Sequence, residues 1–194
     1  AGMVGWENII MSTLNTPANK RFEGMTVQDI AKARGTDPVN CVCDMLIEEN
    51  CAITMIDFIT CEEDIARILN CGFASVISDS IYPASGRPHP RLYGTYARII
   101  QRFVGERRDM TLEAAVKAMT YTPAKALNIA DRGLLREGLC ADVNVFDPAE
   151  VRERGSYADP DKCAAGMDYV FVNGKPAIAA GELTGGAFGQ VIRR

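Results

Sequence analysis

Hydrophobic residues in the first 50 positions recur at helical spacing, and turn-forming residues separate the segments. An apolar run at residues 8–11 predicts a short strand. Residues 26–33 predict a helix that Thr26 caps at its start. Residues 37–49 predict a second helix, since Asp37 can cap it and the following proline suits the first helical position. The pattern therefore predicts a strand followed by two capped helices.

Strand and helix patterns then alternate. Residues 52–59 are apolar and β-branched, as in a buried strand. Thr60 and Glu63 stand at the spacing of a capping box, which opens a helix through Leu69. Residues 73–78 resemble the next strand. Short connections in this order predict a βαβ unit with parallel strands.

A proline-containing loop at residues 80–92 follows the last predicted strand. Its prolines stiffen the chain and limit the conformations of their neighbours. Three further helices are predicted after it, at residues 93–104, 111–120 and 123–128, the last two with threonine caps.

The pattern changes near Gly133, where turn chemistry replaces helical spacing. Residues 141–147 partly alternate between apolar and polar, as a half-buried strand does. Residues 169–180 form two apolar runs around Asn173-Gly174, a strong hairpin signal. We therefore predict an α/β part over residues 1–133 and a β-rich part over residues 134–194.

Composition and charge exclude several classes of protein. Of the 194 residues 47% are hydrophobic and 24% charged, as in a folded globular protein, and the net charge is −4 without a basic run. We expect neither nucleic acid nor a membrane as partner, because no apolar stretch reaches the ~18 residues of a span. The seven cysteines contain no C-x-x-C pair and predict buried or half-buried free thiols, hence a cytoplasmic protein.

Three segments carry candidate chemistry. Asp79 ends the predicted strand at 73–78, where a barrel carboxylate binds a metal or takes a proton, although an ordinary turn cap is the alternative. Arg91 offers a guanidinium fork that suits a carboxylate. His89 is the single histidine, and the sequence leaves open whether it is a ligand, a base or a structural residue. The glycine-containing segment at 131–143 is interpreted as structural turns.

Taken together, these segments resemble the C-terminal portion of the N-acyl-D-amino-acid deacylases (D-aminoacylases) of the amidohydrolase superfamily. The clear match runs from about residue 55 to the end. The pairing of Ser-Asp with His-Pro-Arg is the specific signal for this branch. The remaining matching motifs are Tyr93-Gly94-Thr95, Leu112-Glu113-x-Ala115-Val116, Met119-Thr120-x-x-Pro123-Ala124, Arg132-Gly133-x-Leu135-x-x-Gly138-x-x-Ala141-Asp142, Val172-Asn173-Gly174 and Gly181-Glu182-Leu183-Thr184-Gly185.

The resemblance implies the last strand–helix units of a (β/α)₈ barrel over residues 1–133, and part of a small β-sandwich over residues 134–194. It implies an amide hydrolase in which zinc activates the attacking water. Asp79 then corresponds to a metal-binding residue that deprotonates this water and protonates the leaving nitrogen. Arg91 corresponds to a residue that binds the substrate carboxylate, and His89 stands beside it in the substrate site.

The same resemblance implies parts that this chain lacks. The other metal ligands of the family are mostly histidines that lie upstream, and one histidine cannot replace them. A complete barrel also needs ~250 residues. We therefore expect a C-terminal fragment that is inactive alone, retains no zinc and self-associates through exposed barrel surface. A second departure is Ser80, where the family usually has glycine.

Two other functions remain open from the sequence. The shared C-terminal motifs also suit another amidohydrolase, of the dihydropyrimidinase, dihydroorotase or isoaspartyl dipeptidase type. Arg91 separates the two, because it matters most when the substrate carries an α-carboxylate. The third possibility is a non-catalytic α/β binding module that folds by itself, which the capped helices permit.

Overall fold

A computed structural model describes residues 5–82 and 86–192. The chain packs into two compact units that interleave along the sequence. The first unit draws on described residues within 1–61, 79–93 and 155–162, and the second on those within 62–78, 94–154 and 163–194. The boundary near Gly133 stays a prediction.

The first unit contains the predicted strand and both predicted helices. Thr26 caps the first helix, since its hydroxyl accepts the Asp29 N–H at 3.1 Å. Asp37 caps the second, and its carboxylate accepts two N–H groups of the first turn. Gly35 ends the first helix with φ +69°, which favours glycine. The elements are β1 (Ile9–Thr13), α1 (Val27–Arg34), α2 (Pro38–Glu48) and β2 (Thr54–Asp57).

One contiguous apolar core stabilises this unit. Ile30 of α1 and Met45 of α2 have no exposed surface, and both belong to the same cluster. Other members come from β1 and the loop after it: Met11, Leu14 and Phe22. Both helices thus bury part of one face against this core, although Val39 of α2 is 56% exposed.

The predicted parallel βαβ unit is wrong in the part of the chain that the structure describes. Its first predicted strand, at residues 52–59, contains β2, which pairs antiparallel with β1, with Ile10 opposite Ile56. Residues 73–78 do not form a strand, and the Val76 N–H donates instead to the Ala118 carbonyl at 2.9 Å. An apolar β-branched run favours extended backbone, but a strand also requires a neighbouring ladder, which local sequence does not specify.

The helices of the second unit follow the predicted order with two differences. The predicted helix at 93–104 begins as an α-helix and continues as a π-helical segment, Ile99–Glu106. The last helix begins at Tyr121 rather than after Thr122, so the predicted threonine cap there is wrong. The elements are α3 (Glu62–Leu69), α4 (Arg91–Arg98, whose first turn lies in the first unit), α5 (Leu112–Met119) and α6 (Tyr121–Ala126).

The predicted β-rich part forms a four-stranded antiparallel sheet in chain order. The hairpin at Asn173-Gly174 is confirmed, because both residues have positive φ, +51° and +76°, as a type I′ turn requires. The strand predicted over 141–147 is shorter than expected. The strands are β3 (Val143–Val145), β4 (Tyr169–Val172), β5 (Lys175–Ala179) and β6 (Glu182–Leu183).

The cysteines differ from the expectation in their exposure. All seven are free thiols, and Cys41 is buried. Five are exposed, so the prediction of buried or half-buried thiols is wrong for Cys43, Cys51, Cys61, Cys71 and Cys163. Within residues 5–82 and 86–192, no helix is long and apolar enough to cross a membrane.

A buried carboxylate, Glu49, organises the loop after β1. It accepts the Asn15 N–H at 2.6 Å, the Thr16 N–H at 3.1 Å and the Asn19 side-chain amide at 2.9 Å. Burial alone raises the pKa of Glu49, but these hydrogen bonds and that of the Thr16 hydroxyl outweigh it and lower the pKa to about 2. The ionised form is therefore the one that stabilises the fold.

Replacing Glu49 with glutamine is expected to lower the free energy of unfolding by about 2 kcal/mol at pH 7, allowing for solvent screening. The glutamine amide would point N–H donors at groups that are themselves donors. Since the folded pKa is depressed, this stability is present above the ordinary carboxyl pKa and is lost as pH falls towards about 2. Urea unfolding at pH 7 and pH 3 measures the change. Glu7→Gln, at an exposed position of the same unit, is the control; equal effects of the two variants would contradict the prediction.

Candidate functional site

Two of the three residues singled out for chemistry, Asp79 and Arg91, lie in contact in the first unit. Arg91 Nη2 and Asp79 Oδ2 form an ion pair at 2.9 Å. The Asp79 side chain is 73% exposed and that of Arg91 40% exposed, so both are accessible to a ligand. The left-handed backbone at this turn falls on Asp79, with φ +45°, and not on Ser80. Aspartate tolerates that conformation, so Ser80 in place of glycine is compatible with the turn.

The loop that carries Arg91 is attached to β1. The Arg87 N–H donates to the Ser12 carbonyl at 3.0 Å, and the Ser12 hydroxyl donates to the Arg87 carbonyl. Gly86 has φ +91°, and a Cβ there would overlap the Thr13 side chain. Glycine is therefore required at the point where the loop meets the strand.

His89 contacts protein groups through both ring nitrogens. Its Nδ1 accepts the Arg91 N–H at 3.0 Å, and its Nε2 lies 3.5 Å from the Tyr157 hydroxyl. The rings of His89 and Tyr157 are edge-on, with centroids 5.2 Å apart. This geometry suits a residue that shapes the loop; direct binding of substrate by His89 stays a prediction.

Sequence reasoning missed two tyrosine contacts around this site. Tyr157 contacts a histidine 68 positions earlier in the chain, and no local pattern marks that distance. Tyr82 and Tyr93 place their hydroxyls 3.0 Å apart, linking the segment after Asp79 to the first turn of α4. Aromatic residues spaced around a loop were the available signal, but they are equally typical of packing.

Within the part of the chain that the structure describes, the side chains do not form a zinc site by themselves. The described residues contain no group of three histidine, cysteine, aspartate or glutamate side chains that could hold a metal ion. A catalytic zinc needs about three protein ligands. Asp79 is engaged with Arg91, and His89 Nδ1 is engaged with a backbone N–H.

The glycine-containing motif around Arg132 forms a structural clamp, as interpreted from the sequence. Arg132 Nη2 donates to Asn173 Oδ1 at 2.7 Å, and Arg132 Nη1 donates to Asp142. The Asn173 N–H donates to Asp142 Oδ1 at 2.8 Å. Burial raises the pKa of Asp142, but the Asn173 N–H and the Arg132 guanidinium outweigh it and lower that pKa. The motif thus fixes the β4–β5 hairpin.

A second charged cluster lies in the second unit around Glu62. This carboxylate pairs with Arg98 at 3.1 Å, Arg102 at 2.8 Å and Arg107 at 3.2 Å. The Arg102 hydrogen bond is the main cause that lowers the pKa of Glu62. Each arginine also pairs with a further carboxylate, so the cluster is compensated in charge and is interpreted as structural.

Comparison with known proteins adds independent findings. A profile described as "Amidohydrolase family" matches residues 17–178. The chain is 37% identical to an N-acyl-D-glutamate deacylase of Alcaligenes xylosoxydans xylosoxydans, with 85% of this chain and 32% of that protein covered. It is 34% identical to a D-aminoacylase of the same organism, with 89% and 34% covered. The chain thus spans about a third of the length of these curated relatives.

Solved structures show the same relationship. A D-aminoacylase crystal structure matches with a TM-score of 0.85 and 31% identity, over 96% of this chain and 38% of that chain. An N-acyl-D-glutamate deacylase from Bordetella bronchiseptica, complexed with zinc and a phosphonate inhibitor, matches with a TM-score of 0.84 and 34% identity. That match covers 97% of this chain and 38% of the other.

Proposed function

Because this chain belongs to the amidohydrolase family, we propose that it supplies the substrate-carboxylate site and the proton-transfer group of an N-acyl-D-amino-acid deacylase. The family match and the structural neighbours support the amidohydrolase fold. The incomplete barrel stays a prediction. The proposed deacylase activity is supported by the activities that the relatives' names state and by the geometry around Arg91.

The observation that carries the proposal is the ion pair between Asp79 and Arg91. A guanidinium binds a carboxylate with two parallel hydrogen bonds, so the α-carboxylate of an N-acyl amino acid can take the place of Asp79 on Arg91. Both side chains are partly exposed, which permits the exchange. Substrate binding would then release Asp79 for the reaction.

Asp79 is the group proposed to move the proton. It accepts a proton from the water that attacks the amide carbon, and it returns a proton to the leaving nitrogen as the C–N bond breaks. The products are the free D-amino acid and the carboxylate of the acyl group. A carboxylate that is exposed and held within reach of Arg91 suits both transfers.

In this proposal, the ligands that would complete a zinc site come from residues outside this sequence. When bound, zinc would supply an activated water at neutral pH. One histidine in 194 residues leaves the ligand set incomplete, so we propose that the isolated chain neither holds zinc nor hydrolyses amides. Exposed apolar side chains in each unit, Ile81 (79%) in the first and Phe73 (81%) in the second, support self-association.

Binding of a carboxylate ligand tests the role of Arg91. We expect N-acetyl-D-alanine to bind the isolated chain weakly and N-acetyl-D-alaninamide, which lacks the carboxylate, at least about tenfold more weakly. Arg91→Ala is expected to remove this difference. Titration of the ¹⁵N-labelled chain followed by NMR measures both affinities.

The matched control is Arg87→Ala, in an exposed arginine of the same loop, which is expected to keep the difference between acid and amide. Equal affinity of the wild-type chain for both ligands would contradict the proposal. It would favour another amidohydrolase substrate, without an α-carboxylate.

The isolated chain is expected to contain no stoichiometric zinc and to show no turnover. Atomic absorption after dialysis against zinc measures the metal, and release of D-amino acid from N-acetyl-D-amino acids measures hydrolysis. Stoichiometric zinc together with turnover would show that this chain carries a complete site.

A further inference from the structure

We propose that Tyr157 is a positioning residue for Arg91 and acts through His89. This inference rests on the proposed role of Arg91 in binding the substrate carboxylate. All three residues lie in the first unit, although Tyr157 comes from a short segment, residues 155–162, whose flanking chain belongs to the second. The segment thereby brings a side chain from late in the sequence to the candidate site.

The hydrogen-bond directions select one form of the His89 ring. The Arg91 N–H is a donor, so His89 Nδ1, at 3.0 Å, is the acceptor and carries no proton. In the neutral ring the proton then lies on Nε2, which faces the Tyr157 hydroxyl at 3.5 Å. The Tyr157 hydroxyl oxygen can thus accept a hydrogen bond from Nε2–H, which stabilises the tautomer whose Nδ1 accepts the Arg91 backbone N–H.

Packing holds Tyr157 in place. Its ring meets Phe58 edge-on with centroids 4.7 Å apart, and it meets His89 edge-on at 5.2 Å. A turn stiffens the segment, since the Ser156 N–H donates to the Asp159 carbonyl at 3.0 Å and the Asp159 N–H donates to the Ser156 hydroxyl at 3.0 Å. The His89 ring therefore packs against a Tyr157 ring whose position is fixed by its neighbours.

His89 in turn fixes the start of α4. The first N–H groups of a helix have no acceptor within the helix. The His89 ring accepts a hydrogen bond from the Arg91 N–H, and the His89 carbonyl accepts one from the Leu92 N–H at 3.0 Å. Because Arg91 is the first residue of α4, this capping sets the direction in which its guanidinium leaves the helix towards Asp79.

Exchange of the Arg91 backbone amide in the ¹⁵N-labelled chain tests the inference without requiring catalysis. Tyr157→Ala and His89→Gln are each expected to accelerate this exchange about fivefold to tenfold. His89→Asn is expected to keep it within about twofold, because the asparagine oxygen can reach the position of Nδ1 whereas the longer glutamine side chain reaches towards Nε2. Tyr169→Ala, which removes a tyrosine from β4, is the control.

The same variants are then titrated with N-acetyl-D-alanine, and Tyr157→Ala is expected to weaken binding by a similar factor. Exchange at Arg91 that is no faster in Tyr157→Ala than in Tyr169→Ala overturns the inference. If Tyr157→Ala accelerates the exchange but the wild-type chain does not bind the carboxylate ligand, the proposed function is overturned and the positioning role of Tyr157 remains supported.

Tyr157→Phe decides the matter if Tyr157→Ala does not fold. It keeps the ring and removes only the acceptor oxygen. The ¹⁵N signals of the His89 ring are expected to shift towards a mixture of tautomers, and unchanged ring signals overturn the inference.

Discussion

Replacing Asp79 with asparagine is expected to lower kcat about 1,000-fold in a hybrid enzyme, with a smaller effect on KM. In the hybrid, this chain replaces the matching 38% of the Bordetella bronchiseptica N-acyl-D-glutamate deacylase, whose structure contains zinc. Asparagine has nearly the same shape and can still accept a hydrogen bond from Arg91, but it cannot take up a proton. The loss would therefore report the chemistry of the carboxylate, in proton transfer or metal binding, rather than a change of shape.

Steady-state hydrolysis of an N-acyl-D-glutamate, with the unmodified hybrid as reference, measures the effect. Asp161→Asn, at an exposed position of the same unit, is expected to change kcat by less than about twofold. A change confined to KM would mean that Asp79 serves only to orient Arg91. An unchanged kcat and KM would remove Asp79 from the site altogether.

Replacing Ile30 with alanine is expected to lower the free energy of unfolding by about 3 kcal/mol. Ile30 has no exposed surface and belongs to the core cluster of the first unit, so its removal leaves a cavity that rigid neighbours cannot fill. The transfer free energy of the lost methylene and methyl groups adds to the cost of that cavity.

Ile47→Ala is the matched control, because Ile47 is 77% exposed on α2 and the substitution is chemically identical. Its effect is expected to stay within about 0.5 kcal/mol, since alanine also favours helices. Urea unfolding at two protein concentrations separates folding from self-association. Similar losses in both variants would show that the first unit has no tightly packed core.

Local chemistry in the sequence was enough to predict the helices of the first unit and the hairpin of the second. Thr26 and Asp37 bond to N–H groups two or three residues away, so the sequence itself contains both partners. The Asn173-Gly174 turn depends on the tolerance of those two residues for positive φ. The helix over residues 93–104 was likewise predictable, although its π-helical part was not.

The wrong strand prediction concerns partners far apart in the chain. Residues 73–78 have the composition of a strand, yet which backbone lies beside an extended segment depends on the whole fold. The antiparallel pairing of β1 with β2 joins residues more than 40 positions apart, as at Ile10 and Ile56. Hydrophobic pattern specifies which face is buried but does not specify the neighbour.

For the candidate site, the sequence by itself determined the residue types: a carboxylate after an apolar segment, a guanidinium after a proline-containing loop, and a family resemblance that linked them. Only the tertiary structure decided that Asp79 and Arg91 form an ion pair and that Tyr157 lies against Nε2 of His89. The physical reason is range: a cap or a turn depends on atoms a few residues apart, whereas these contacts exist because separate segments pack against one another.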